Sequence, residues 1–336
     1  RRSVSLRVNS SPLRKRSLHF SRKKEIIRED SGADAEWKKR SACLNTKRSG
    51  MEGKRMKIKY LGTAACEGVP AAFCRCEVCE KSRKAGGRNI RTRSQALVDD
   101  TLLLDLNADT YVHSLFYGLD LPSIHTCLIT HDHEDHLYQD ELLNRQEGFA
   151  HGIDGEPLFI YGTYPAYAKV VAAIDKGTGY ADHNVMEDRV APVRVKAFEP
   201  FEAEGYQITP LEAQHDVRCE PVIYLIEKDG KALLYAHDTG LFPESTWEYL
   251  TGHPVKLNLV SLDATHAIHA NYSGHMGFAA DAQIRNRLGK EGLADENTIY
   301  VANHFTHNAG VTYDEMLPVA EQYGFLVSYD GMEVEF

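Results

Sequence analysis

The stretch "LITHDHEDHL" places His131, His133, Asp135 and His136 within six positions, directly after an apolar run. Imidazole and carboxylate together are the donor set of Zn²⁺ and Mn²⁺ sites. No straight strand or helix can turn all four side chains one way. A tight loop can, with His131 and His133 facing one ion and Asp135 and His136 facing a neighbouring one. Three histidines beside an aspartate at the mouth of a hydrophobic strand are poorly explained as a patch of solvated charge. The same setting recurs later in the chain: His215 follows "YQITPLEAQ", Asp238 follows "KALLYAH" and His304 follows "TIYVAN". Each is a metal-type residue just past a strand, where α/β sheets place their sites.

A second grouping lies in "AFCRCEVCEK", where Cys74, Cys76 and Cys79 fall within six residues. A closed zinc site needs four ligands, and this stretch offers three. Three reduced core thiols are the alternative, but the intervening Arg75, Glu77 and Glu80 argue against burial. A redox pair of Cys76 and Cys79 would open a helix in a thioredoxin-like βαβ unit, which the pattern lacks. Two further candidate groups are His266, His269 and His275 in "DATHAIHANYSGHMGF", and Arg91 and Arg93 in "NIRTRSQALV". The arginines are either phosphate contacts or solvated charge ahead of a strand.

Short apolar strands must position these residues: "MKIKYLG", "QALVDDTLLLDL", "HTCLIT", "LFIYG", "YQITPLEA", "PVIYLIEK", "KALLYAHD", "LNLVSLDA" and "TIYVANH". Between them lie helix-compatible segments at 164–177, 277–292 and 312–324. Strands interleaved with helices predict an α/β layer architecture. No repeat or low-complexity linker interrupts residues 51–336, which read as one domain. Residues 1–50 hold 15 Lys/Arg against 5 Asp/Glu and lack hydrophobic periodicity, so a disordered basic arm is expected there. That arm reads as a nucleic-acid tail, a targeting segment or upstream sequence outside the native chain. The first Met is Met51, and a start at Met51 or Met56 is the preferred reading.

The remainder of the 336 residues holds 24 Lys/Arg against 43 Asp/Glu. So acidic a body does not present the basic face that nucleic acid requires. An anionic substrate would have to be received by bound cations or a few local basic groups. No apolar run approaches the roughly 18 residues that cross a bilayer. The odd total of seven cysteines, three of them clustered, points to a reducing, cytoplasmic setting and metal ligation.

The order H-x-H-x-D-H, then His215, then Asp238 in "HDTG", then His304 in "NHFTH" resembles the metallo-β-lactamase superfamily over roughly residues 57–336. The resemblance implies a four-layer αββα sandwich and two active-site divalent ions, Zn or Mn. His131, His133 and His215 would hold one ion, Asp135, His136 and His304 the other, with Asp238 bridging. Asp105 in "LLLDLNAD" would orient a ligand. Within the superfamily, "YLGTAACEGVPAAFCRCEVC", "NHFTHN" and the closing "GFLVSYDGMEVEF" resemble the phosphoribosyl cyclic phosphodiesterases of the carbon–phosphorus lyase pathway. This closer resemblance implies a structural zinc held by Cys74, Cys76, Cys79 and His307. It also implies His275, in "SGHMG", as the general acid beside the catalytic Asp135, and a homodimer. The implied reaction is attack of metal-bridging hydroxide on a cyclic phosphate such as 5-phosphoribosyl 1,2-cyclic phosphate. His266 would shape the pocket and His269 would face solvent. His237 reads as structural, and Cys66 carries no role. Rival expectations are a tRNA 3′-processing nuclease, a thioester or lactone hydrolase, a zinc-knuckle interaction module and an oxygen-reducing diiron protein. The first lacks a basic approach surface, the third leaves the His/Asp series unexplained, and the diiron branch carries Glu where this chain has His133.

Overall fold

A computed structural model describes residues 55–336 except 154, 179–185, 187 and 254; the expectations for residues 1–50 lie outside the described residues. The strands of the N-terminal half are Lys57–Gly62 (β1), Gln95–Val98 (β2), Leu102–Leu104 (β3), Thr126–Leu128 (β4), Leu158–Gly162 (β5) and Val190–Arg194 (β6). They continue with Phe201–Ala203 (β7), Tyr206–Glu212 (β8), Val222–Lys228 (β9), Lys231–Ala236 (β10), Leu259–Asp263 (β11), Ile299–Asn303 (β12), Leu326–Val327 (β13) and Met332–Glu335 (β14). Among the described residues they form two seven-stranded sheets, ordered β14-β1-β2-β3-β4-β5-β6 and β13-β12-β11-β10-β9-β8-β7. The α-helices are Glu77–Ala85 (α1), Thr110–Phe116 (α2), Tyr164–Thr178 (α3), Glu244–Gly252 (α4), Phe278–Lys290 (α5) and Tyr313–Tyr323 (α6). None of them is long and apolar enough to cross a membrane.

Alternation along the strands builds the layers. On β9, Val222, Tyr224 and Ile226 enter the core between the sheets, while Ile223 and Leu225 enter the core under the helices. On β10, Leu233 and Tyr235 point inward and Ala232, Leu234 and Ala236 outward. The first sheet answers with Ile58, Tyr60, Ala96, Val98, Leu102, Leu104 and Leu128. Helices α4, α5 and α6 cover one outer face through Trp247, Leu250, Phe278, Ile284, Met316 and Ala320. Helix α3 covers the other through Ala166, Val170 and Ile174. The result is the αββα sandwich. Strands buried on both faces are near-continuous apolar runs, which is why they stand out in the sequence. Each large side chain fully buried there contributes about 1.5–3 kcal/mol.

Three hairpins close on non-glycine residues at positive φ: Asp99 and Asp100 between β2 and β3, Glu204 before Gly205, and Asp229 before Gly230. These are primed turns, whose twist matches that of the flanking strands. Helix α6 begins with a reciprocal capping box between Thr312 and Glu315 and ends on Gly324 at φ 75°. Strands β8, β10, β11 and β12 run in one direction, so their C-terminal ends share one edge of the second sheet. That edge is where the candidate ligands collect.

Candidate metal centre

The 131–136 loop leaves β4 and folds back on itself: the amides of His136 and Leu137 both donate to the carbonyl of His133, at 3.0 and 2.7 Å. Asp105, just past β3, holds the loop from beneath. Its Oδ1 accepts from the Thr130 amide and hydroxyl at 2.9 and 3.0 Å, and its Oδ2 lies 2.7 Å from His136 Nδ1. Asp238 follows β10 by two residues, and His304 follows β12 directly. Asp105, Asp238 and His304 have φ of 67°, 50° and 66°, so all three are non-glycine residues in the left-handed region. Such backbone costs on the order of 1–3 kcal/mol per residue and persists where surrounding structure enforces it, often at functional sites.

Two principal groups of ligand atoms result, each within 4.8 Å of one another: His131, His133 and His215 in one, Asp135, His136, Asp238 and His304 in the other; two overlapping sets, Asp238, Asp263, His275 and His304, and His133, Asp216 and Cys219, are equally close. In the first, His133 Nδ1 lies 2.9 Å from His131 Nε2 and 3.2 Å from His215 Nε2. In the second, Asp238 Oδ2 lies 2.5 Å from His136 Nε2 and 2.9 Å from His304 Nε2, with Asp135 Oδ2 at 3.4 and 3.6 Å from the same nitrogens. The other oxygen of Asp238 is 3.8 Å from His215 Nε2, so this carboxylate spans both groups.

The arrangement fits divalent cations. Asp238 Oδ2 is buried and takes no hydrogen bond, although two ring nitrogens crowd it. Lone pairs that converge without pairing are costly unless a cation sits among them. The field has the matching sign. Burial alone would lower His136 and His304, but Asp238 foremost raises both well above the usual histidine value, helped by Asp105 and Asp135 at His136 and by Asp135 and Asp263 at His304. Burial would likewise raise Asp135 and Asp238, yet the facing imidazoles hold both below the carboxylate range. At His131, burial and the neighbouring imidazoles of His136, His215 and His133 outweigh Asp238 and push it well below the usual histidine value.

His275 stands between the groups, its ring 4.8 Å from that of His215 and stacked 5.7 Å from that of His304. Its Nδ1 lies 3.1 Å from Asp263 Oδ2 and 3.4 Å from Asp238 Oδ1, which leaves Nε2 facing away from both carboxylates. Burial opposes its charge, but Asp263, then Asp238, raise its pKa above the ordinary value. The loop that carries it packs on Gly240, where a Cβ would meet the Tyr272 carbonyl at 2.6 Å and Gln214 Oε1 at 2.1 Å. A side chain at that position would separate the His215 and His275 loops.

A separate group joins Cys74, Cys76, Cys79 and His307. His307 Nδ1 lies 3.7 and 3.4 Å from the sulfurs of Cys74 and Cys76. Cys76 caps α1 and Cys79 lies one turn on, so the helix aligns their sulfurs. Burial would raise the Cys76 thiol, but the Cys79 amide and His307 hold it down at about 6. Glu67 Oε1 lies 3.5 Å from His307 Nε2 and accepts from Thr306 and Asn308. A carboxylate behind a histidine ligand fixes its ring and tautomer.

Arg91 and Arg93 are placed elsewhere than a substrate contact requires. Arg91 is buried, donates to Thr63 Oγ1 and the Ser328 carbonyl at 2.7 and 2.8 Å, and lies over the Phe305 ring. Arg93 pairs with both oxygens of Asp109 at 3.0 Å and donates to the Cys66 carbonyl at 2.8 Å. Both tie loops to strands. His266 is partly buried with its ring 6.1 Å from that of His275, and His269 is exposed. His237 is buried against Ser261 Oγ at 2.7 Å, and burial lowers it to about 3. Cys66 is exposed and hydrogen-bonds Glu67 at 3.3 Å.

Sequence reasoning missed Asp263, Thr265, Glu67 and Cys219. Asp263 ends β11, the same strand-end setting that marks Asp238 and His304, so its signal was present. The others are single polar residues whose role comes from non-local packing.

A family model described as the beta-lactamase superfamily domain matches residues 105–293. Among solved structures, the chain is similar to a diphosphatase from the PhnP family, at 22% identity over 84% of this chain and 97% of that one, TM-score 0.61. It is similar to Zn²⁺-bound PqqB from Methylobacterium extorquens at 20% identity over 83% and 99% of the two chains, TM-score 0.59. It is also similar to the short form of human tRNase Z at 14% identity over 83% and 98%, TM-score 0.54. At these identities the likeness is one of fold. No curated protein matches the chain.

Proposed function

The chain belongs to the beta-lactamase superfamily, and from that premise we propose that it is a metal-dependent phosphodiesterase hydrolysing a small cyclic phosphate, with 5-phosphoribosyl 1,2-cyclic phosphate as the substrate its resemblance implies. His131, His133 and His215 would hold one divalent ion, and Asp135, His136 and His304 a second, with Asp238 within reach of both groups. The mixed donor set suits Zn²⁺ or Mn²⁺. Bound there, such ions supply a nucleophile from water at neutral pH and neutralise phosphoryl oxygens, which lets an acidic body receive an anion. Cys74, Cys76, Cys79 and His307 hold a structural zinc, which fastens the 66–80 segment to the segment that carries His304.

The observation that carries the reading is His275 on Asp263. The carboxylate favours the protonated form of a partly exposed imidazole lodged between the two ligand groups. Nδ1 faces Asp263, so the proton delivered to a departing sugar oxygen is the one on Nε2. Asp263 orients the ring and stabilises its charged form; Asp105, by contrast, fixes the Nδ1 proton and ring angle of His136, whose Nε2 is the ligand atom. An acid at that place serves a poor leaving group such as a sugar hydroxyl, whereas cleavage of a thioester needs it less.

The test is metal analysis of the purified full chain with a panel containing cyclic phosphates, linear phosphodiesters, a precursor tRNA, a thioester and a lactone. About three ions per chain and selective turnover of a cyclic sugar phosphate are expected. Protein lacking the ion pair, or turnover confined to the thioester, lactone or tRNA, overturns the reading.

A further inference from the structure

Each of the five ligand imidazoles has a second ring nitrogen turned away from its group, and four of these meet oxygen. His136 has Asp105 at 2.7 Å, His131 has the Thr130 hydroxyl at 3.1 Å, His215 has the Gly274 carbonyl at 3.0 Å and His304 has the Thr265 hydroxyl at 2.8 Å. His133 differs on two counts. It alone offers Nδ1 among these rings, and its outer nitrogen, Nε2, meets sulfur: Cys219 Sγ lies 3.2 Å away, with Asp216 Oδ2 beyond at 3.9 Å.

We propose that Cys219 is a positioning residue for the His131/His133/His215 subsite, its sulfur accepting the Nε2 proton of His133 and so fixing the ring with Nδ1 turned to the ion. The inference rests on the dimetal reading above. A neutral imidazole that gives its Nδ1 lone pair to a metal must carry its proton on Nε2, and that proton needs an acceptor for tautomer and ring angle to be fixed. Asp216 at 3.9 Å is beyond hydrogen-bond range, so sulfur is the acceptor.

Packing gives little help here, because the His133 side chain is 38% exposed while those of His136, His304 and His215 are 0, 1 and 11% exposed. The most exposed ring is the one that most needs a tether. The tether itself is held. Cys219 is 5% exposed at the end of the short turn Val217–Cys219, which the Asp216 side chain caps, and its carbonyl accepts from Thr163 Oγ1 at 3.3 Å. The Asp132 carboxylate neighbours the thiol and lies 3.4 Å from Lys169 on α3. A chain of side chains thus runs from Lys169 through Asp132 and Cys219 to His133. It does with a thiol what Asp105 does for His136 directly.

The test loads metal-free wild type, Cys219→Ser and Cys219→Ala with Co²⁺. The readouts are ions bound per chain, dissociation constants from chelator competition, the Co²⁺ absorption spectrum and the melting temperature of the metal-free proteins. Cys219→Ala should weaken one ion by about 10–100-fold and alter its spectrum, leaving the remaining ions and the metal-free melting temperature unchanged. Cys219→Ser should recover most of the loss, since a hydroxyl accepts the same proton. Unchanged affinity in Cys219→Ala, or a lowered metal-free melting temperature with every ion weakened alike, overturns the inference alone. Wild-type protein that binds no ion pair overturns the dimetal reading and this inference with it.

Discussion

Replacing His275 by Ala separates proton donation from metal holding. The ring is not among the ligands assigned to either ion, although it lies within 4.8 Å of Asp238 and His304, so its loss should leave both ions in place. Asp263 would not be orphaned either: its oxygens still accept from the amides of Asp238, Thr265 and Met276 at 3.1, 3.1 and 2.8 Å and from Thr265 Oγ1 at 3.0 Å. The stability cost should therefore stay near 1 kcal/mol, the net value of one hydrogen bond. The catalytic cost should be far larger. At 3.1 Å and an effective dielectric near 20, Asp263 attracts an imidazolium by roughly 5 kcal/mol before burial is subtracted. That attraction favours the protonated form of His275, the form a general acid requires. General acid catalysis of that kind contributes about 10²–10⁴-fold, or about 3–5 kcal/mol of barrier. The assay compares kcat on two diesters, one with a sugar or alkyl leaving group and one with a nitrophenolate that departs without protonation. His275→Ala should lose about 10²–10⁴-fold on the first and less than about 10-fold on the second. Equal losses on both would refute the acid assignment and move His275 to substrate binding. No loss on either would remove it from the site.

Other perturbations address the ions and the core. Asp238→Ala removes the carboxylate that spans both ligand groups; turnover should fall by more than about 10³-fold, near-complete loss on the scale of enzymatic rate enhancements, while circular dichroism stays native, and wild-type turnover would dismiss the shared-ligand geometry. Cys76→Ser should release about one zinc per chain and lower the melting temperature, with activity falling as the wall around Glu67 loosens; unchanged metal content would dismiss the clamp. Asp281 is fully buried on α5 with neither carboxylate oxygen hydrogen-bonded among the described residues, and burial, with Asp263 nearby, raises its pKa well above the ordinary value. A carboxyl whose folded pKa is raised contributes stability that is full below its unfolded pKa, about 3.9, and is lost as pH rises through the folded pKa. Asp281→Leu should accordingly gain stability relative to wild type as pH climbs from about 4 to 7, read as urea midpoints across that range; parallel curves for the two proteins would contradict it.

What could be read from the sequence and what could not divide along a physical line. Residues whose role follows from local pattern were legible. His131, His133, Asp135 and His136 declare themselves by crowding, and Asp238 and His304 by falling at the ends of strands apolar enough to be buried on both faces. Helices α3, α5 and α6 were visible within a few residues because long apolar stripes and capping residues mark them. The two guanidiniums of "NIRTRS" were not readable, because a cation ahead of a strand looks the same whether it faces a phosphate or, as here, Phe305 and Asp109. Glu67 and Cys219 were not readable either, and Asp263 offered only its place at a strand end. Each acts through a nitrogen that another element delivers: β12 and the 272–275 loop bring His304 and His275 to Asp263, the "NHFTH" segment brings His307 to Glu67, and the 131–136 loop brings His133 to Cys219. First contacts to an ion need particular atom types, so composition and order reveal them. The groups behind them need only accept one proton at the right angle, which a carboxylate, hydroxyl, carbonyl or thiol can all do. That interchangeability leaves no pattern in a single sequence, and it is why substitutions behind the ligands, rather than at them, discriminate most sharply between this centre and a mere cluster of histidines.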